Sequence, residues 1–409
     1  MIDAGDTTWI LVSSALVMLM TPGLALFYGG MVRQKNLLST ITMSFVLLGV
    51  VGVLWALYGY SLSFGPDVGG IIGNLDFIGL RGVGQGPSDV YASTVPHLAF
   101  MAFQGMFAII TVALWTGGVV ERIKFSSFLL FAVLWFTVVY CPIAHWVWGD
   151  GGWLGKLGAL DFAGGAVVHI NAGMTALALA LLLRPRKGFR EGQPMEPSNI
   201  PLVILGAGIL WFGWFGFNAG SALSANGLAS SAFVATNLSA AAGAVTWMIL
   251  GWVYRRPSAL GIATGAVAGL VAITPAAGFV DPIAAIPIGI VSSVIGYYCI
   301  LWRTKRGIDE SLDVWAVHGM GGVWGALATG IFASAAVSGG ENGLLWGGGM
   351  LFVKQIISVV AVAGFAFCAT WVLGKLVDVT IGLRVKEDEE VVGLDISQHG
   401  ERAYGGIVP

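Results

Sequence analysis

Long apolar stretches separated by short polar segments run through almost the whole chain. Eleven of them approach or exceed the roughly 20 residues that a helix needs to cross the hydrocarbon core of a bilayer. The eighth is the least regular, because it is short and rich in glycine. The predicted spans cover residues 8–30, 38–63, 97–119, 126–147, 164–183, 200–221, 231–253, 259–276, 279–302, 312–336 and 347–377.

Basic residues divide the connecting segments into two sets. Seventeen of the 20 Lys and Arg residues lie in alternate loops and in the C-terminal tail, on the side of the bundle that we call the basic face. The opposite side has only Arg81, Lys156 and Lys354. Because Lys and Arg are retained on the cytoplasmic side of membranes, this pattern predicts an outside N-terminus and a cytoplasmic tail in the cell membrane.

Composition agrees with an all-α polytopic membrane protein. Hydrophobic residues make up 56% of the chain and charged residues 10%, against roughly a quarter charged in soluble domains. The 61 glycines suit close contact between membrane helices, which associate through packing. The three cysteines lack paired spacing, so we predict neither a disulfide framework nor a zinc site, and no other cofactor.

Two of the apolar spans each carry one histidine among small residues. His169 lies in DFAGGAVVHINAGMT, and His318 lies in DVWAVHGMGGVWGAL. An ionisable group in hydrocarbon is costly, so it usually faces a cavity or another polar group. A single buried histidine is as readily a structural hydrogen-bonding group as a functional one. The other three histidines (His97, His145 and His399) are interpreted as packing or surface residues.

The two histidines occupy matching places in an internal repeat. Spans 1–5 (about 8–183) and spans 6–10 (about 200–336) each end in a helix that follows an Asp and carries a histidine. Because five spans is an odd number, the second unit is inverted relative to the first. Inverted repeats place a substrate path near the midplane at their interface. The eleventh span is predicted to brace this membrane domain of residues 1–383, which precedes a tail of residues 384–409.

A pair of neutral imidazoles at that interface suits a small polar solute. One ring can donate a proton to the other, which leaves the remaining nitrogens free to contact a solute or to relay protons. A hydrated metal cation would need many more oxygen ligands. A sodium-coupled amino-acid symporter also uses inverted repeats, but the sequence has no paired signature of unwound helices.

The chain resembles the ammonium transporter family (Amt and Mep proteins, with the related Rh proteins), and is most similar to prokaryotic Amt members. The resemblance rests on DFAGGAVVHINAG, DVWAVHGMGGVWGAL, WFGWFGFNAGSA, PGLALFYGGMVRQKN and FQGMFAIIT, in scattered parts of the chain. It implies a homotrimer with one pore in each subunit, no enzymatic activity, and ammonium, ammonia or methylammonium as the substrate.

The resemblance also implies roles for eight residues along one path. They are the pore-lining His169 and His318, the outer gate Phe107 and Phe217, the ammonium-recruitment site Trp148, Phe103 and Ser221, and the supporting Asp161. A cation that is losing water is attracted to aromatic faces, most of all to Trp. Without the resemblance, Trp148 would equally suit an interfacial belt, and the four-residue spacing of Phe103 and Phe107 would suit core packing.

Asp161 has two compatible interpretations. It precedes His169 by eight residues, about 12 Å along a helix at ~1.5 Å per residue, so it belongs near the outer end of its span. Its carboxylate could cap the helix start, or it could lower the electrostatic cost of a cation nearby. Asp313 precedes span 10 and is expected to cap it in the same way.

The tail and the overall role leave further alternatives open. The run KEDEE is typical of a solvated face, although the tail could instead dock on the loops of the basic face. In prokaryotic relatives PII-type signalling proteins bind this face, so the resemblance implies such a partner and a regulatory tail. An ammonium sensor that signals through the tail, and an Rh-like channel for neutral gas, are the alternative functions.

Overall fold

A helix occupies each of the eleven predicted positions in the computed structural model, which describes residues 1–404. Residues 405–409 of the predicted tail lie outside the described part. In residues 1–404, nine helices are long and apolar enough to cross a membrane by themselves, whereas α8 has only 15 residues. The helices are α1 Ala4–Met31, α2 Gln34–Phe64, α3 His97–Gly118, α4 125–148, α5 Gly165–Leu183, α6 Ile200–Gly220, α7 Gly227–Tyr254, α8 Ala259–Ile273, α9 Pro282–Lys305, α10 315–332 and α11 Gly349–Ile381.

Short polar side chains begin several of these helices. The first N–H groups of a helix have no partner within it, and a side-chain oxygen at the preceding residue satisfies them. The residues that accept these N–H bonds are Asp3, Asn199, Asn226, Ser258 and Asp281.

Corresponding helices of the two predicted repeats pack on each other. α1 lies along α6, and α5 crosses α10 near the centre of the bundle. The crossing is very close: a Cβ atom built on Gly173 of α5 would lie 2.3 Å from the Cα and N atoms of Gly319. A Cβ atom on Gly322 would lie 2.9 Å from the carbonyl oxygen of Gly165. Glycine at these positions lets the two backbones touch.

The eleventh helix lies against α4 and α5, in the bracing position that the sequence predicts. Trp135 of α4 donates its indole N–H to the hydroxyls of Thr175, at 2.9 Å, and Thr370, at 3.1 Å. These three buried side chains fasten α11 to the bundle. Only 22% of the most apolar window of α11 is buried, so most of this helix faces away from the protein.

Two small hairpins cover one end of the bundle between α2 and α3. They consist of β1 Asp67–Val68 with β2 Ile72–Gly73, and β3 Pro87–Ser88 with β4 Ala92–Pro96. His145, which is buried in α4, contacts the Asp67 carboxylate at 3.0 Å and so holds the first hairpin in place. His97 contacts the Tyr60 hydroxyl at 2.5 Å. Both histidines therefore have structural contacts.

A buried charge cluster joins four loops on the basic face. Glu121 accepts from the Nε atom of Arg33 at 2.9 Å and also pairs with Arg186. Arg186 in turn contacts the Asp309 carboxylate at 2.7 Å. Burial acts to raise the pKa of Asp309, but the guanidinium groups of Arg186 and Arg122 outweigh it and lower this pKa to about 2. A buried ion pair persists when its partners satisfy each other in this way.

The tail docks on this cluster rather than extending into solvent. It forms two short helices, α12 Glu387–Val392 and α13 Leu394–His399. Glu390 is only 2% exposed; it pairs with Arg384 at 2.7 Å and accepts the Lys187 backbone N–H at 2.7 Å. The interpretation of KEDEE as wholly solvated is therefore wrong for Glu390.

Asp395 of the tail caps the start of α2. Its carboxylate accepts the backbone N–H groups of Leu38, at 3.0 Å, and Ser39, at 2.7 Å. The Leu394 N–H donates back to the Asn36 side chain at 2.8 Å. A capping carboxylate normally comes from the same helix, whereas this one is supplied by the far end of the chain.

We expect Gly173→Ala to destabilise the folded protein, because the new methyl group would meet the Gly319 backbone at 2.3 Å. Overpacking of this kind costs about 1–3 kcal/mol. A lower melting temperature in detergent would reveal it. Gly364→Ala in α11 is the control, since a Cβ atom there has no neighbour within 4 Å. Equal melting temperatures for the two variants would contradict the close crossing of α5 and α10.

Candidate functional site

The two predicted histidines meet at the crossing of α5 and α10. The Nδ1 atoms of His169 and His318 lie 3.2 Å apart, and the rings are tilted by 32°. Both side chains are almost completely buried. At this distance one Nδ1 atom donates a hydrogen bond and the other accepts it, so the two rings share one proton and the accepting ring is neutral. The Nε2 atom of His169 has no hydrogen-bond partner among the described residues.

Each histidine lies in a π-helical turn at the start of its helix. These turns cover Gly165–Ile170 and Trp315–Gly319, and such turns are common at functional sites. Asp161 supports the first one: its two carboxylate oxygens accept the four backbone N–H groups of residues 164–167, at 2.6 to 3.2 Å. The carboxylate therefore has the predicted capping geometry, and it fixes the direction in which His169 enters the bundle.

Glu310, not Asp313, takes the equivalent position in the second repeat. Glu310 precedes His318 by eight residues, as Asp161 precedes His169, and it accepts the Trp315 N–H at 3.2 Å. The Asp313 side chain instead pairs with Arg303 at 2.6 Å. The expectation that Asp313 caps α10 was therefore wrong, because a nearby guanidinium competes for its carboxylate.

The Glu310 carboxyl differs from its Asp161 counterpart in how fully it is bonded. It is fully buried, and its Oε1 atom has no partner among residues 1–404. Burial raises the pKa of Glu310 to about 7, despite the opposing charge of Arg303. The first repeat thus has a fully bonded carboxylate, whereas the second has a carboxyl group that can hold a proton near neutral pH.

An aromatic stack continues from the histidines toward the hairpin end of the bundle. Phe107 and Phe217 have ring centroids 4.2 Å apart, and Phe217 lies 6.1 Å from the His169 ring. Trp214, which the sequence reasoning missed, stacks on His169 at 5.4 Å. Its position three residues before Phe217 on one helix was the available signal. The stacked rings fill the space that separates the histidines from the nearest vestibule.

A cavity of about 240 Å³, which we call the Trp148 vestibule, lies beyond the stack. Trp148, Phe107, Asp161 and Ser221 line it. The Trp148 indole donates to the Asp161 backbone carbonyl at 2.9 Å, which fixes the ring edge-on to Phe107. Gln104 also lines the vestibule, and its Oε1 atom has no partner within the described residues.

Ser221 and Phe103 differ in how directly they reach this vestibule. The Ser221 hydroxyl donates to the Phe217 carbonyl at 2.8 Å, so its oxygen keeps lone pairs for another donor. Phe103 is fully buried and is not part of the lining. It packs edge-on against Phe107 at 4.9 Å. Phe103 therefore supports the ring that closes the vestibule, while Ser221 faces the space itself.

A second, smaller cavity lies on the other side of the histidines. This Asp313 vestibule has a volume of about 40 Å³, and its lining includes His318, Asp313, Tyr28 and Thr264. The two vestibules are thus joined by one line of side chains that runs through the aromatic stack and the histidine pair. The arrangement offers aromatic faces and hydrogen-bond acceptors at one end, and neutral imidazoles in an apolar constriction.

Comparisons with known proteins agree with this architecture. A family model described as Ammonium Transporter Family matches residues 8–404. Ammonium transporter Amt1 of Archaeoglobus fulgidus is 53% identical over 400 residues, which cover 98% of this chain and 99% of that protein. The family match and the alignment with this relative both include the membrane helices and the docked tail.

Solved structures show the same fold. The crystal structure of Candida albicans Mep2 has a TM-score of 0.91 and 39% identity, and the match covers 98% of this chain and 90% of that one. A structure named Sensor Amt Protein has a TM-score of 0.89 and 28% identity, with 97% and 98% coverage. The match over nearly the full length, in both sequence and fold, shows that this chain belongs to the ammonium transporter family.

Proposed function

We propose that this ammonium transporter first holds ammonium in the Trp148 vestibule. The Trp148 and Phe107 rings present aromatic faces and edges around the space, and cation–π attraction there offsets part of the lost hydration. The Ser221 hydroxyl and the Gln104 carbonyl oxygen supply hydrogen-bond acceptors. The Asp161 carboxylate is engaged by four N–H groups, so it acts mainly through the geometry of the π-helical turn.

Ammonium then gives up its proton to water in the Trp148 vestibule, and neutral ammonia passes the Phe107–Phe217 stack. The stack is apolar and its rings are 4.2 Å apart, so it must part for a solute and offers a cation no oxygen ligands. A bare charge in such surroundings costs far more than a neutral molecule of the same size. Ammonia has almost the same size and lacks that cost. The proton moves from nitrogen to a water oxygen and no other covalent bond changes, so the proposed activity is transport rather than catalysis.

The observation that carries the proposal is the 3.2 Å contact between the two Nδ1 atoms of His169 and His318. The shared proton fixes both rings and leaves the Nε2 atom of His169 free to bond a passing ammonia. The same pair can pass a proton along, because protonation at one end allows release at the other. We therefore propose that ammonia and the proton cross separately and that transport is electrogenic.

We expect His169→Ala and His318→Ala each to reduce ammonium-evoked current by at least about tenfold, because a proton relay through a positioned imidazole contributes on the order of 10²-fold. Purified protein in liposomes on a solid-supported membrane gives this measurement. His399→Gln, in the tail, is the control and should retain the current. Full, ammonium-selective current in both alanine variants would remove the histidines from the mechanism.

Trp148→Leu should raise the ammonium concentration that gives half-maximal current by about 3- to 30-fold, the range expected for the loss of a cation–π contact. The control is Trp346→Leu in the loop before α11, where the side chain is 59% exposed. An unchanged half-maximal concentration in the Trp148 variant would show that its indole does not bind the cation.

The current recordings and a growth assay together separate the alternative functions. A neutral gas channel would carry ammonia without any ammonium-evoked charge movement. One structural relative is named a sensor. A sensor without appreciable flux would not restore growth on limiting ammonium to a cell that lacks its own transporters. Methylammonium should compete with ammonium in both assays, and sodium should have no effect.

Assembly and regulation follow from the same family membership. We propose a homotrimer in the cell membrane, with an outside N-terminus, a cytoplasmic basic face, and a regulatory tail from residue 384 that a PII-type protein contacts. Mass measurement in detergent tests the trimer, and protease access to the tail in oriented vesicles tests the topology. Loss of PII binding after removal of the tail would support its regulatory role, and unchanged binding would count against it.

A further inference from the structure

A basic pocket lies on the basic face, away from the pore. It has a volume of about 510 Å³ and is formed where the loop after α5 meets the beginning of the tail. Its lining contains five cationic and three anionic side chains, which are Arg184, Arg186, Lys187, Arg190, Arg384, Glu191, Glu387 and Glu390. A volume of this size suits a small ligand or a headgroup.

Most of these charges are already paired. Arg384 bonds Glu390, and Lys187 bonds Glu387. Arg186 is held by the buried charge cluster described above. Within residues 1–404, no ion pair or side-chain hydrogen bond involves Arg184 or Arg190, although both line the pocket and are exposed.

The backbone at Arg184 is unusual. Its φ angle is +63°, and only five non-glycine residues of the described chain have positive φ values. A side chain disfavours this conformation, so backbone preference alone would select glycine here. Residues held in such conformations concentrate at functional sites. This backbone strain marks the edge of the pocket, while the guanidinium of Arg184, which is unpaired among residues 1–404, supplies the charge.

The pocket also lies at the depth of lipid headgroups. Arg184 directly follows the last residue of α5, and Arg384 comes three residues after the end of α11. Just above the pocket, these two adjacent helices expose apolar side chains: Leu181 is 39% exposed and Val379 is 78% exposed. An acyl chain could lie along this surface while its headgroup enters the pocket. Basic pockets between membrane helices on the cytoplasmic side typically bind anionic headgroups.

We propose that this pocket binds a phosphate ester, with Arg184 and Arg190 as the principal ligands. A guanidinium group donates two parallel hydrogen bonds to phosphate oxygens. An arginine that is already paired with a carboxylate lacks free N–H groups for these bonds. The headgroup of an anionic phospholipid is the source that the depth of the pocket favours, and a soluble phosphorylated metabolite would present the same chemistry. The site is independent of the histidine pore.

The test uses the full-length protein in detergent, titrated with phosphatidylglycerol and followed by native mass spectrometry. We expect the Arg184→Gln/Arg190→Gln double variant to bind this lipid roughly 20- to 30-fold more weakly, since each arginine near such a group is worth about 1 kcal/mol. Arg255→Gln/Arg256→Gln removes two exposed arginines from another loop of the same face and should leave the affinity unchanged.

Further arms distinguish the source of the phosphate. Adenosine monophosphate and inorganic phosphate serve as soluble probes, and phosphatidylcholine serves as the neutral lipid. If the Arg184→Gln/Arg190→Gln variant selectively loses affinity for phosphatidylglycerol, the site binds a lipid. If the variant selectively loses affinity for a soluble probe, the same site binds a metabolite. Equal weakening of binding in both double variants, or no change in the binding of any probe, would overturn the proposal. Equal affinity of the native protein for the two lipids, together with unchanged binding of both soluble probes in the Gln variant, would also overturn it.

A conservative double variant controls for the case in which the Gln variant does not fold. Arg184→Lys/Arg190→Lys keeps both charges and removes the paired hydrogen bonds, so its affinity for the favoured probe should fall between those of the native protein and the Gln variant. Native affinity in the Lys variant would contradict recognition by guanidinium groups. Ammonium-evoked current tests the proposed transport function separately, because a failure of that proposal would leave ligand binding in this pocket unchanged.

Discussion

The carboxylate of Asp161 bonds four backbone N–H groups, and the position of the histidine pair depends on this interaction. Hydrocarbon offers no water to an unpaired peptide group, so a helix that begins inside the membrane protein must find its partners within the chain. With both carboxylate oxygens shared among residues 164–167, α5 can start with a π-helical turn inside the bundle. That turn sets the direction of His169. A fixed imidazole is what allows a second one to meet it.

In the second repeat, the start of the histidine helix is bonded by a glutamate instead of an aspartate. Glu310 bonds the start of α10 through one oxygen, and its other oxygen stays buried without a partner among the described residues. The two histidine helices can approach each other because Gly173 faces Gly319 at their crossing. Close backbone contact thus allows the 3.2 Å distance between the Nδ1 atoms, and the stack of Phe107 and Phe217 closes the path on one side. The space around the histidine pair is narrow because glycines let the two helices touch and aromatic rings fill one side.

Much of this arrangement could be predicted from the sequence, because its signals are local and periodic. Apolar runs predicted all eleven helix positions, and the matching context of His169 and His318 predicted their meeting. The role of Glu310 was hidden because Asp313 lies nearer to α10, and only the folded chain shows Arg303 drawing that carboxylate away. Trp214 was one of 16 tryptophans, so composition could not single it out. Glu390 is buried because it bonds Arg384 and the loop at Lys187, and no local pattern in KEDEE indicates these two contacts.

The cap that Asp395 places on α2 has a consequence for how the protein is made. The second helix leaves the ribosome well before its capping carboxylate, which lies 356 residues after Ser39. Until then, the N–H groups of Leu38 and Ser39 depend on water or lipid headgroups for their hydrogen bonds. The finished tail replaces those temporary partners. The start of α2 is therefore complete only after the tail has been made and has docked, and a chain cut short before Asp395 would leave these N–H groups without their carboxylate partner.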